Sequence, residues 1–271
     1  MNTDVNKLAA DNIRILSMAM VEKAKSGHPG GAMGGADFIH ILFSEFLRFD
    51  PDDSSWINRD RFFLDPGHMS PMLYSVLTLT GLFSIDDLKQ FRQWGSPTPG
   101  HPELDVARGV ENTSGPLGQG HTMAVGAAIA ERFLAARFGE LFAHKTYAFI
   151  SDGGIQEEIS QGAGRLAGHL GLNNLIMFYD SNDIQLSTET SAVSTEDTAA
   201  KYIAFTGFSV PEKDLLTSGM ACADEAIKIA PNSPFGYFAK GGIYSDQADH
   251  EKALPLMEKM YAAVRNDEER V

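Results

Sequence analysis

The stretch from Tyr147 to Asn182 constrains the fold more than any other part of this chain. Tyr147-Ala148-Phe149-Ile150 is a continuous apolar run with aromatic and branched residues, which reads as a buried strand. It ends at Ser151-Asp152-Gly153-Gly154. A helix of about 15 residues opens near Gln156, and Leu175-Ile176-Met177-Phe178-Tyr179 is a second buried strand ending at Asp180-Ser181-Asn182. Strand, turn, helix and strand in that order require parallel strands joined by a right-handed crossover. Both strands then finish on the same edge of the sheet. Asp152 and Asn182, 30 residues apart in sequence, meet at their carboxyl ends. That edge is where open α/β sheets hold ligands. The expected fold class is α/β, a parallel sheet flanked by helices.

The remaining segments fit around this unit. Residues 6–25 read as a helix, with Ile13, Leu16, Met20 and Ala24 at helical spacing and Gly27 and Pro29 as stops. The glycines between Gly27 and Gly35 read in good part as turn chemistry. Residues 36–48 and 69–80 look helical, and Arg61-Phe62-Phe63-Leu64 is a short strand ending at Asp65-Pro66-Gly67-His68. Ser84-Ile85-Asp86-Asp87 has the pattern of a capping box. Residues 95–120 lack periodicity but carry glycines, prolines and His101, which favours a functional loop. The Ala-rich helix 122–137 is apolar on most sides and reads as buried.

After residue 210 the character changes, so the chain divides into 1–210 and an α-helical C-terminal tail, 211–271. Residues 214–229 and 234–263 read as helices. Counted from Pro234, Tyr237, Gly241, Tyr244 and Ala253 fall at the spacing of a tetratricopeptide-like repeat, and Ala226 and Pro231 fit the end of a preceding one.

Composition narrows the chemistry. With 22 basic and 36 acidic residues the formal charge is −14, a poor match for nucleic acid or an anionic membrane. Any anionic ligand must be held by a metal ion, backbone N–H groups or a few histidines. The single cysteine, Cys222, excludes an internal disulfide and a thiolate-rich zinc site. No apolar run reaches membrane-spanning length, and the amino terminus lacks the features of a signal peptide, so the expected location is the cytoplasm. Asp152 and Asn182 offer hard oxygens, suited to Mg²⁺ or Ca²⁺ and not to zinc. Gly153 and Gly154 leave the backbone N–H groups at the next helix start open to a phosphate. The bottom-up reading is a metal-bridged diphosphate at a sheet edge.

The Ser151-Asp152-Gly153 … Asn182 pattern resembles the thiamine-diphosphate fingerprint. Its surroundings resemble transketolase: Lys25-Ser26-Gly27-His28-Pro29-Gly30, Gly67-His68, Thr98-Pro99-Gly100-His101-Pro102-Glu103, Gly115-Pro116-Leu117-Gly118-Gln119-Gly120 and Thr195-Glu196-Asp197-Thr198-Ala199. The resemblance runs from about residue 6 to 210. It implies the thiamine-diphosphate-binding fold, with thiamine diphosphate and Mg²⁺ (or Ca²⁺) as cofactors. It implies that Asp152, Asn182 and the carbonyl of Ile184 bind the metal. Gly153 and His68, with Asn182, would serve the diphosphate, and Gly115, Pro116 and Leu117 the middle of the cofactor. His28 and His101 would face the hydroxyls of a sugar phosphate donor, where an imidazole titrating near neutrality moves protons. Glu157 would join a carboxylate network across a homodimer interface. The reaction implied is transfer of a two-carbon ketol unit between sugar phosphates.

Three substitutions depart from the family pattern: Ser151 and Glu158 where glycine is usual, and Asp183 for the glycine after Asn182. The resemblance fades near Phe208-Ser209-Val210. A late histidine of the family, and the whole pyrimidine domain with its cofactor-activating glutamate and phosphate-binding arginines, have no counterpart in this sequence. The arginines before residue 210 fall in expected helices or beside strands, away from the histidine loops. The expectation is therefore the diphosphate-binding part of a transketolase, either one subunit of a split enzyme or a truncated, tail-altered chain, inactive in isolation and needing a pyrimidine domain from a homodimer partner or a separate subunit. The alternative is an inactive scaffold with a protein-binding tail.

Overall fold

A computed structural model of the chain describes residues 5–185 and 188–206, together with Lys252, Pro255, Leu256, Glu258 and Lys259. By internal packing the chain divides into two compact units, Met1–Gly207 and Phe208–Val271. The tetratricopeptide-like hairpin expected over 211–271 lies outside the described residues, apart from those five positions.

The sheet has three parallel strands in the order β1 (Arg61–Leu64), β2 (Thr146–Ser151) and β3 (Leu175–Asp180). Leu64 is level with Phe149, and Ser151 with Asp180, so the functional loops leave from one edge. Alternation along the strands divides the core. Phe62, Leu64, Tyr147 and Phe149 face a layer formed by α1 (Val5–Ala24), α2 (Pro29–Gly34), α3 (Ala36–Ile41) and α4 (Ser70–Leu79). Ile13 and Met20 of α1 and Ile39 of α3 are buried there. Phe38 stands over the sheet with ring centroids 5.0 Å from Phe149 and 4.5 Å from Phe178. On the opposite face Phe63 and Ala148 pack against α6 (Gln119–Phe138) through Ala124. A large-to-small change in this core, such as Phe149→Ala, costs about 3–5 kcal/mol.

The capping box forms: Ser84 Oγ accepts from the Asp87 N–H at 3.1 Å, Asp87 Oδ2 accepts from the Ser84 N–H at 2.8 Å, and α5 (Ile85–Leu88) follows. Four local expectations are corrected. The glycine-rich stretch is largely helical, because Pro29 opens α2 and only Gly27 adopts a left-handed φ, +136°. The second amphipathic helix is α3 continued by a π-helical turn, Leu42–Phe46. The helix after β2 begins at Asp152 and breaks into α7 (Asp152–Gln156) and α8 (Glu158–His169). Glu157 is extended at the break, and the Gln161 side chain donates to the Ile155 carbonyl that the break leaves open. Finally, α6 buries one face only; Met123, Phe133 and Phe138 on its outer side are exposed, as are Ile159, Leu166 and Leu170 along α8 and its end. A short antiparallel pair, β4 (Ile184–Gln185) and β5 (Thr188–Glu189), precedes α9 (Thr198–Thr206), which packs on α8. Among the described residues no helix is long and apolar enough to cross a membrane.

Candidate functional site

Asp152 sits at the carboxyl end of β2 and is 1% exposed. Its carboxylate accepts from the Tyr179 hydroxyl at the end of β3 and, at 3.1 Å, from the Asn182 backbone N–H. The two residues that the sequence pairs across 30 positions are therefore in direct contact. Asn182 Nδ2 donates to Asp180 at 3.0 Å, and Asn182 Oδ1 accepts from the Ile184 N–H at 3.1 Å. That turn requires a left-handed residue at Asp183, φ +60°. Aspartate tolerates this better than most residues, which explains how it replaces a glycine there. Burial raises the Asp180 carboxyl, the bond from Asn182 opposes it, and the charge of Asp152 adds to the rise. Burial also raises the Tyr179 hydroxyl, helped by its bond to Asp152.

The oxygens at this corner are carboxylate, amide and backbone carbonyl. Among the described residues no group of three or more His, Cys, Asp or Glu side chains could hold a metal ion. Asp152, the Asn182 amide and the Ile184 carbonyl are hard oxygens, a donor chemistry that suits Mg²⁺ with water and phosphate completing its shell.

The loop Gly115-Pro116-Leu117-Gly118 crosses the start of α7 and α8. A Cβ on Gly153 would stand 3.0 Å from Leu117 Cδ1, and one on Gly118 would stand 2.8 Å from Glu157 Cβ. Glycine is required at 118 on a second ground, its φ of +83°. The anchor of this loop is Asp65, fully buried at the end of β1. Asp65 accepts the backbone N–H of Gly118 at 3.0 Å and of His121 at 3.2 Å. Burial raises its carboxyl, and bonds from the Gly118, His121 and Gly120 N–H groups oppose the rise.

Three histidines from separate loops converge beside it. His28 precedes α2, His68 lies in the turn after β1, and His101 comes from the long irregular loop. The His28 and His68 rings meet edge-on with centroids 5.4 Å apart. A Cβ on Gly67 would stand 2.8 Å from His101 Cδ2 and 2.9 Å from the Gly115 nitrogen. Burial pushes His68 down to about 4, with His28 and His101 adding to the effect. His101 is lowered by burial, then by Arg92 and His28. The His101 loop is fixed from α4: Ser70 Oγ donates to the Gly100 carbonyl at 2.7 Å and the Tyr74 hydroxyl to Pro99 at 2.9 Å.

The placement of Arg92 corrects the expectation that arginines lie away from the histidine loops. Its guanidinium donates to Ser26 Oγ at 2.7 Å and lies against Gly100, where a Cβ would stand 2.7 Å from Nε. Sequence reasoning also missed Asp65, Tyr179 and His121. Asp65 and Tyr179 carried a signal, each lying at or next to the last position of an apolar strand; Arg92 and His121 carried none. A cavity of about 650 Å³ lined by Arg48, Asp60, Glu131, His144 and Asn174 lies at the other edge, among residues that precede the strands.

A buried strand-end carboxylate beside an asparagine, a glycine cradle at a helix start and a parallel sheet define a diphosphate-cofactor-binding α/β domain. Residues 5–233 match the family model "Transketolase, thiamine diphosphate binding domain", and the chain belongs to that family. The match extends past residue 210, which corrects the expected end of the resemblance near Phe208-Ser209-Val210. The chain is 50% identical over 206 residues to a transketolase of Geobacillus stearothermophilus, covering 74% of this chain and 31% of that protein. It is 48% identical over 242 residues to transketolase 1 of Saccharomyces cerevisiae, covering 86% and 35%. Solved transketolases superpose as well: that of Leishmania mexicana has a TM-score of 0.71 at 43% identity, over 76% of this chain and 31% of that one. A Pichia stipitis transketolase in complex with sedoheptulose 7-phosphate gives 0.70 at 43%, over 74% and 30%. The chain thus spans about a third of the length of these relatives.

Proposed function

We propose that this chain binds thiamine diphosphate through Mg²⁺ as the diphosphate-binding part of a transketolase acting on sugar phosphates. The observation that carries the reading is the convergence of His28, His68 and His101 on the glycine cradle next to Asp152 and Asn182. A net charge of −14 makes a bare diphosphate site beside Asp152 unfavourable, so the bridging cation is integral to the proposal. Asp152, Asn182 and the Ile184 carbonyl hold the metal. Gly153 and His68 meet the diphosphate, and Gly115, Pro116 and Leu117 line the middle of the cofactor. Bound thiamine diphosphate supplies the nucleophilic carbon for transfer of a two-carbon ketol unit.

His101 and His68 are both lowered by burial, which favours their neutral, hydrogen-bonding forms. His28 and His101 are assigned to the donor sugar's hydroxyls. The exposed apolar side of α6 and α8, with Glu157 at its edge, supports a homodimer or a partner subunit carrying the pyrimidine domain. The scaffold alternative is not favoured, because residues 5–233 match the thiamine diphosphate binding domain of transketolase. The deciding experiment is calorimetric titration with thiamine diphosphate, with and without Mg²⁺. Saturable binding only with the metal is expected; no binding, or binding indifferent to chelator, overturns the reading.

A further inference from the structure

Two ties run side by side between the first turns of α6 and α8. Gly118 lies against Glu157. Three residues further along each chain segment, His121 Nδ1 lies 2.7 Å from Ser160 Oγ, 39 residues away. Both are fully enclosed, His121 at 1% and Ser160 at 0% exposure. Tyr202 of α9 covers the pair, its ring centroid 6.2 Å from that of His121. Gly164 permits the approach, since a Cβ there would stand 2.8 Å from Tyr202 Cε1. The Tyr202 hydroxyl oxygen is buried beside Ser160, whose hydroxyl opposes the rise in its pKa that burial causes.

A buried imidazole on a helix face is a costly way to fill space, because an aliphatic side chain would need no partner. What it adds is alignment. If α6 and α8 slide apart, His121 loses its partner Ser160 inside the protein, and an unpaired buried group is penalised. The geometry ties together two functional segments. The His121 turn ends the loop bearing Gly115, Pro116 and Leu117, and its backbone N–H is held by Asp65. The Ser160 turn begins at Glu157.

We propose that His121 is a positioning residue that, through Ser160, holds the Gly115–Leu117 loop and Glu157 in one arrangement before any cofactor arrives. The proposal rests on reading that loop and Glu157 as parts of the cofactor site. It is tested on the full chain with His121→Leu, Ser160→Ala, the double variant and His121→Asn, whose amide can occupy the position of Nδ1. Amide exchange is followed in the cofactor-free proteins, and thiamine diphosphate is titrated calorimetrically with Mg²⁺. The Leu and Ala variants should exchange faster over residues 113–121, with β2 unchanged, and bind cofactor roughly three- to tenfold more weakly. The double variant should be no worse than the weaker single one, and His121→Asn should recover most of the loss. Unchanged exchange and affinity, or a uniform loss across the chain with lower Tm and no Asn rescue, overturns the proposal. Ser160→Ala removes a single oxygen and keeps the test open if His121→Leu fails to fold. A wild-type chain that does not bind the cofactor overturns the functional reading instead, and the exchange data then decide the tie by themselves.

Discussion

Asp65 Oδ2 accepts the backbone N–H of Gly118 at 3.0 Å, 53 residues along the chain. Gly118 occupies the N-cap position of α6 and has no side chain with which to cap it. The carboxylate at the end of β1, which also accepts the His121 N–H, therefore does what an N-cap residue normally does, and it fixes the Gly115–Gly118 loop to the sheet while doing so. Asp65→Ala leaves the N–H groups of Gly118, Gly120 and His121 without an acceptor in a buried site. Urea unfolding should show a loss on the order of 2–4 kcal/mol. Asp65→Asn, which keeps one acceptor oxygen, should lose less; equal losses would mean that the charge, and not the cap, is what matters.

Asp152 is the carboxylate nearest the proposed diphosphate. Asp152→Ala should abolish Mg²⁺-dependent binding of thiamine diphosphate in calorimetry. Tyr179→Phe removes only a hydrogen bond to that carboxylate and should change affinity by less than about tenfold. Tight binding by Asp152→Ala in excess chelator would refute the metal assignment.

Acid should weaken the fold through its buried histidines. His121 and His68 titrate at about 4 in the folded chain, against an ordinary 6.5, because burial disfavours the imidazolium. Between those values the unfolded chain binds more protons than the folded one, so stability rises with pH and is lost as pH falls through the window. The contribution is complete above 6.5. For the enclosed His121 it amounts to about 2–3 kcal/mol, and less for the half-buried His68. Asp65, raised by burial, acts in the opposite sense from the carboxylate range upward. Comparing wild type with His121→Leu isolates the histidine: the variant should decline less steeply from pH 6.5 to 4.5. Parallel declines would contradict a neutral, buried His121.

The purified chain should not turn over. Xylulose 5-phosphate and ribose 5-phosphate with saturating thiamine diphosphate and Mg²⁺ should give no ketol transfer. General acid–base help from His28 and His101 is worth about 10²–10⁴-fold and cannot replace activation of the cofactor. Steady turnover that disappears in His101→Ala would show that the chain holds more of the machinery than proposed.

Much of this site is legible without coordinates because parallel pairing leaves little freedom. Once Tyr147–Ile150 and Leu175–Tyr179 are strands flanking a helix, their ends share an edge, and Asp152 meets Asn182. The break at Glu157 was not legible. Local preference favours one continuous helix there, and the break comes with close contact to Gly118, supplied by a segment 39 residues earlier. The glycines around Gly30 misled for the converse reason: Pro29 sets the first helical φ, and packing against Met69 and Met72 favours residues without side chains.

The sequence by itself determined the three strands, the parallel pairing of the second and third and the oxygen donors at their ends, because apolar runs and strand–helix–strand order leave little freedom in that unit; the place of β1 came from the structure. Only the tertiary structure decided that His28, His68 and His101 meet, that Arg92 joins them, that Asp65 caps α6 and that His121 reaches Ser160. The contacts of Ser26 with Arg92, His28 with His68, Gly67 with His101, Asp65 with Gly118 and His121 with Ser160 span 34 to 66 residues. No local periodicity encodes them; they follow from where close-packed helices set the loops down.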